Sequence, residues 1–102
     1  MFGLIDRHLN FVKETLKRHI KNPDAKFYIF GSRAKGKYRE YSDVDIAIDC
    51  SDIKDEDIWK LKSDFENSTF PYKVDIVDLN TVKEYFKNLI KDDLVELDMG
   101  QA

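Results

Sequence analysis

The residue pattern predicts an α/β layer fold: a small mixed β-sheet with helices packed on one face and an active site on the other. Three observations carry this. Stretches with apolar residues at helical spacing alternate along the chain with short β-rich runs, the order expected of a layered α/β domain. The second and third β-rich runs alternate acids with aliphatics, so one sheet face is apolar and the other polar. At 102 residues, without internal repeats, low-complexity tracts or a dividing linker, residues 1–102 form one domain around a single core.

Taken in order, Leu4, Ile5, Leu9, Val12, Leu16 and Ile20 recur at helical spacing and predict an amphipathic helix over about 4–21. Lys17, Arg18 and Lys21 suit its C-terminal dipole, and Asn22-Pro23 stops it. Phe27 to Phe30 are too few for a helix and read as a buried strand. Ser32 is a favoured N-cap, so a short helix is expected after the strand. The next strand opens at Asp43-Val44-Asp45 and runs to Asp49. A polar linker, Ser51 to Asp57, leads into a helix with acids in its first turn and Ile58, Leu61 and Phe65 as its buried stripe, flanked by Trp59. Asn67-Ser68-Thr69 ends that helix, and Pro71 sets up a third strand, Tyr72 to Asp78. Thr81-Val82-Lys83-Glu84 reads as a capping box, followed by a stripe of Val82, Tyr85, Phe86, Leu89 and Ile90. Asp92-Asp93 interrupts it. Leu94, Val95, Leu97 and Met99 in the tail either pack on the core or present an apolar patch to a partner.

The chemistry concentrates between residues 27 and 49. Gly31 permits a sharp turn and close approach of a ligand. A helical turn starting at Ser32 would aim free N–H groups at a phosphate, and the Ser32 hydroxyl can donate as well. Arg33, Lys35, Lys37 and Arg39 add positive charge nearby. Asp43 and Asp45, two apart on a strand, share a face. Crowded carboxylates call for a counter-charge, and Mg²⁺ takes such oxygen ligands. Asp75 alternates against Val74 and Ile76, and on a neighbouring strand it would complete a set of three acids able to hold two Mg²⁺ ions for an in-line phosphoryl displacement. Asp78 is the alternative third ligand, at a strand end where it suits the following turn. Together these residues describe a site for a nucleoside triphosphate and metal.

Gly31-Ser32, ten intervening residues, Asp43-Val44-Asp45 and a later Asp75 resemble the DNA polymerase β-type nucleotidyltransferases. The likeness is greatest to the minimal nucleotidyltransferases and covers nearly the whole chain. Lys35 stands where many relatives carry arginine. The resemblance implies a palm-like core and transfer of AMP from ATP to a hydroxyl. Asp43, Asp45 and Asp75 would be catalytic and metal-binding; Gly31, Ser32, Arg33 and Lys35 would bind the nucleotide. It further implies an antitoxin in a toxin–antitoxin system, forming a hetero-oligomer with a HEPN-domain RNase toxin and silencing it by modifying a tyrosine. A chain of this length carries no separate acceptor-binding domain, so the acceptor is expected from another protein. Two alternatives stay open: a non-catalytic antitoxin that neutralises by contact, and an enzyme acting on a small-molecule hydroxyl.

Composition narrows the rest. The net charge is −3, so no global basic field draws DNA. Hydrophobic residues make up 42%, too many for a disordered chain. Cys50 is the single cysteine, which leaves no internal disulfide and points to a reducing, cytoplasmic setting. His8 and His19 both fall in the first helix without ligand-like companions. No run suits a signal peptide or membrane span.

Overall fold

The computed structural model describes residues 1–100. Three helices, α1 (Asp6–His19), α2 (Asp55–Glu66) and α3 (Glu84–Ile90), accompany four strands: β1 (Lys26–Phe30), β2 (Val44–Asp49), β3 (Val74–Asp78) and β4 (Val95–Glu96). The sheet order is β3-β2-β1-β4. β1 runs antiparallel to both β2 and β4, whereas β2 and β3 are parallel. The end of β1 and the starts of β2 and β3 therefore meet at one end of the sheet.

Alternation along the strands builds two cores. Phe27 and Ile29, Val44, Ile46 and Ile48, and Ile76 face α1 and α2, whose Val12, Leu16, Leu61 and Phe65 complete the larger core. On the opposite face Phe30 and Ala47 pack with Leu79 and Ile90, supported by Val77 and Phe86. Thus α1 and α2 lie on one face as expected, while α3 crosses to the other and covers the part of the sheet beside the acids. His19 and Arg18 on α1 both reach Asp64 on α2, at 2.6 and 3.3 Å, and join the two helices. Hydrogen bonding to His19, with Arg18 beside it, holds the Asp64 carboxyl below the usual carboxylate range.

Several local expectations change. Residues 31–36 form consecutive hydrogen-bonded turns instead of a short helix, with Lys35 N–H donating to Gly31 O and Lys37 N–H to Ser32 O. Thr81 does not cap α3, which begins at Glu84 without a side-chain cap; its hydroxyl donates back to Asp78 O. A carboxylate cap occurs at α2 instead, where Asp57 accepts from the Lys54 N–H at 3.0 Å. Tyr85 and Leu89 are each 71% exposed, so the α3 stripe is narrower than its spacing suggests. The tail resolves its two alternatives by element: Val95 and Glu96 add an edge strand to β1, and Leu97 is buried. Cys50 is buried and donates its thiol to Asp52; burial raises its pKa.

Candidate active site

The site forms where β1, β2 and β3 meet. Strand alternation puts Asp45 and Asp75 on the face opposite the large core, and parallel pairing sets them side by side in register. Asp43 is exposed and lies just ahead of β2, which begins at Val44 and not at Asp43. Asp78 accepts a hydrogen bond from the Asn80 N–H within the following turn, and its odd–even position places it on the other face from Asp75. Burial, then the charges of Asp75 and Asp43, raises the Asp45 pKa from 3.8 to about 6. Arg33 and Lys73 oppose that rise. Asp75 and Asp43 thus act electrically on Asp45, yet among the described residues no three potential metal ligands close into a ready-made cluster.

Gly31 bears on Asp45 directly. Its φ is +74°, and a Cβ there would collide with Asp45 Oδ2. Glycine is therefore required both by backbone conformation and by close approach. The turn's hydrogen bonds are donated by Lys35, Gly36 and Lys37, so the N–H groups of Ser32, Arg33 and Ala34 are not spent on it. The Ser32 side chain is partly exposed beside them.

Two predicted nucleotide-binding residues are employed elsewhere. Arg33 is 2% exposed. Its guanidinium donates to Ser42 O through Nε and Nη2, at 3.1 and 2.9 Å, and to Phe2 O through Nη1 at 2.9 Å. It also lies over the Tyr72 ring at 4.4 Å and within 5.4 Å of the Tyr38 centroid. Arg33 is thus an internal clamp that ties the N-terminus and the 37–43 loop to the site, not a side chain extended toward phosphate. A run of basic residues gives no sign of which one the fold will bury. Lys35 is half-exposed and pairs with Asp93 at 3.2 Å, linking the loop to the segment after α3. Sequence reasoning overlooked Lys73. It precedes β3 in phase with Asp75, is exposed, and its charge acts on Asp45. That phase was its available signal.

Residues 10–97 match the polymerase beta nucleotidyltransferase family. The chain belongs to that family. A relative, the probable protein adenylyltransferase MntA of Haemophilus influenzae, is 38% identical over 88 residues, spanning 81% of this chain and 72% of the relative. The fold matches the MNT antitoxin in complex with tri-AMPylated HEPN toxin from Shewanella oneidensis, with a TM-score of 0.66 and 23% identity, covering 88% of this chain and 68% of that one. A toxin–antitoxin structure with AMP-PNP gives a TM-score of 0.63 at 29% identity, covering 76% of this chain and 62% of the other. No helix among the described residues is long and apolar enough to cross a membrane.

Proposed function

We propose that this nucleotidyltransferase transfers AMP from ATP to a tyrosine hydroxyl of a HEPN-domain toxin and thereby acts as its antitoxin in the cytoplasm, where ATP is supplied. The observation that carries the reading is the in-register pair Asp45 and Asp75 beside the bare backbone of Gly31. The name of the Haemophilus relative, a probable protein adenylyltransferase, and the AMPylated toxin in the Shewanella complex supply the substrate class.

The residues fit Mg²⁺. The donors are hard carboxylate oxygens, and burial, then the charges of Asp75 and Asp43, makes an ionised Asp45 costly without a cation beside it. Asp43, Asp45 and Asp75 would hold the ions. When bound, Mg²⁺ neutralises the triphosphate and stabilises charge on the departing pyrophosphate. The N–H groups after Gly31 and the Ser32 hydroxyl hold the outer phosphates. Asp75 takes the proton from the acceptor hydroxyl. The new bond joins the tyrosyl oxygen to the α-phosphorus; the bond broken links that phosphorus to the pyrophosphate oxygen.

The test is co-expression with the HEPN partner followed by mass spectrometry. Wild type should leave AMP on a toxin tyrosine. Asp43→Ala with Asp45→Ala should fold, leave the toxin unmodified and fail to rescue growth. Rescue by the folded double variant with unmodified toxin would instead establish neutralisation by contact.

A further inference from the structure

A cleft of about 430 Å³ opens between α2 and the start of β3, with Asp75 at its rim. Its size falls within the range of small-ligand sites. Phe65, Phe70 and Tyr72 form aromatic lining, and Lys62, Glu66 and Lys73 stand with Asp75 as polar groups. The aromatic wall is held in place: the Phe70 ring lies 5.5 Å from both Phe65 and Tyr72, and Arg33 sits over Tyr72. Lys73 makes no ion pair among the described residues, unlike Lys35.

The sheet order gives this cleft a direction. Gly31 and Ser32 follow β1, Asp43 and Asp45 flank the start of β2, and Asp75 lies on the edge strand β3. Phosphates held after β1 put the leaving pyrophosphate on that side. An in-line displacement requires the attacking oxygen to approach from opposite the leaving group, which is the β3 side, where the cleft opens.

We propose that this cleft is the acceptor subsite, receiving a tyrosine side chain presented by a protein partner, with its ring along Phe70 and Tyr72 and its oxygen between Asp75 and Lys73. The inference rests on the adenylyl-transfer reading above. Aromatic walls suit an aromatic ring through edge and offset contacts. Asp75 accepts the hydroxyl proton, and the Lys73 ammonium donates to the same oxygen. That pair of polar groups distinguishes tyrosine from phenylalanine.

The experiment is NMR titration of the uniformly ¹⁵N-labelled full chain with three probes: N-acetyl-tyrosinamide, N-acetyl-phenylalaninamide and AMP-PNP with Mg²⁺. Tyrosinamide should move the amides of Glu66, Phe70, Lys73 and Asp75, and phenylalaninamide should bind several-fold more weakly. AMP-PNP should move Gly31 to Ala34. Lys73→Met, an exposed substitution that leaves the core intact, should weaken tyrosinamide about tenfold, as expected for loss of a hydrogen bond to a charged group, while AMP-PNP with Mg²⁺ still moves Gly31 to Ala34. If AMP-PNP moves Gly31 to Ala34 while tyrosinamide leaves the cleft unmoved, the acceptor assignment is overturned and the transferase reading stands. Cleft amides that respond to AMP-PNP would make it a nucleobase site and overturn the assignment as well. No response to AMP-PNP anywhere would sink the transferase reading itself, and the acceptor subsite with it.

Discussion

Gly31 and Asp45 show how one pair of residues sets the geometry. A side chain at Gly31 meets two penalties: a left-handed backbone and a collision with Asp45 Oδ2. Gly31→Ala should therefore cost about 1–2 kcal/mol from the backbone alone and displace the Asp45 carboxylate. Urea unfolding and AMP transfer should both register it, with activity falling much further than stability. Asp45 makes a second prediction. Its folded pKa of about 6 exceeds the reference 3.8, so the folded state binds the proton more tightly than the unfolded chain. Stability of metal-free protein should fall as pH rises from about 4 to 6, then level off. The loss is on the order of 1–2 kcal/mol after allowance for partial solvent access. Asp45→Asn should flatten that profile and melt higher than wild type at about pH 7 in chelator while losing activity, a trade-off expected of functional sites. A variant whose pH profile in chelator matches wild type would show that Asp45 is not the group responsible.

At the scale of elements, the loop between β1 and β2 owes its shape to Arg33. Three hydrogen bonds run from one guanidinium to the carbonyls of Ser42 and Phe2. Phe2 holds a left-handed φ of 58°, a cost of about 1–2 kcal/mol that its bond to Arg33 offsets. A lysine has the charge but lacks the planar fork. Arg33→Lys should thus lose about 3 kcal/mol or more, through buried carbonyls left unpaired, and should loosen the loop carrying Asp43. Hydrogen exchange across residues 37–43 would report the loosening; unchanged protection there would mean that Tyr38 and Tyr72 hold the loop without Arg33. The tail behaves as an element too. Leu97 donates its N–H to Phe27 O at 2.7 Å and buries its side chain in the larger core, so the end of the described chain stabilises the strand that leads into Gly31.

For the whole molecule, the proposed function makes the acids and the N–H groups after Gly31 one binding face for a triphosphate with its metal. Ligand that binds only the folded state at about a hundred times its Kd stabilises by about 2.7 kcal/mol. In a domain of this size that is a rise in Tm of roughly 10 °C or more. AMP-PNP with Mg²⁺ should produce this shift, and AMP-PNP in chelator a much smaller one. Replacing Asp43, Asp45 and Asp75 together by asparagine should abolish the metal-dependent part. A triple variant that keeps the full shift would place the metal elsewhere.

Local order determined much of this protein. Alternating apolar residues in β1, β2 and β3 define strand faces wherever the strands pair, so Asp45 and Asp75 were legible as acids on the face away from the large core. The Gly31-Ser32 turn was legible because glycine tolerates its φ. Tertiary structure alone decided the partners. Arg33, Lys35 and Lys73 are similar cations in the sequence, but burial against Tyr72, pairing with Asp93 and exposure beside Asp75 give them three different employments. The same holds for the apolar residues of α3 and the tail: spacing marks a stripe, while exposure of Tyr85 and Leu89 and burial of Leu97 depend on what packs opposite. Periodicity is a property of one segment; which neighbour satisfies a charge or covers a methyl group is a property of segments brought together.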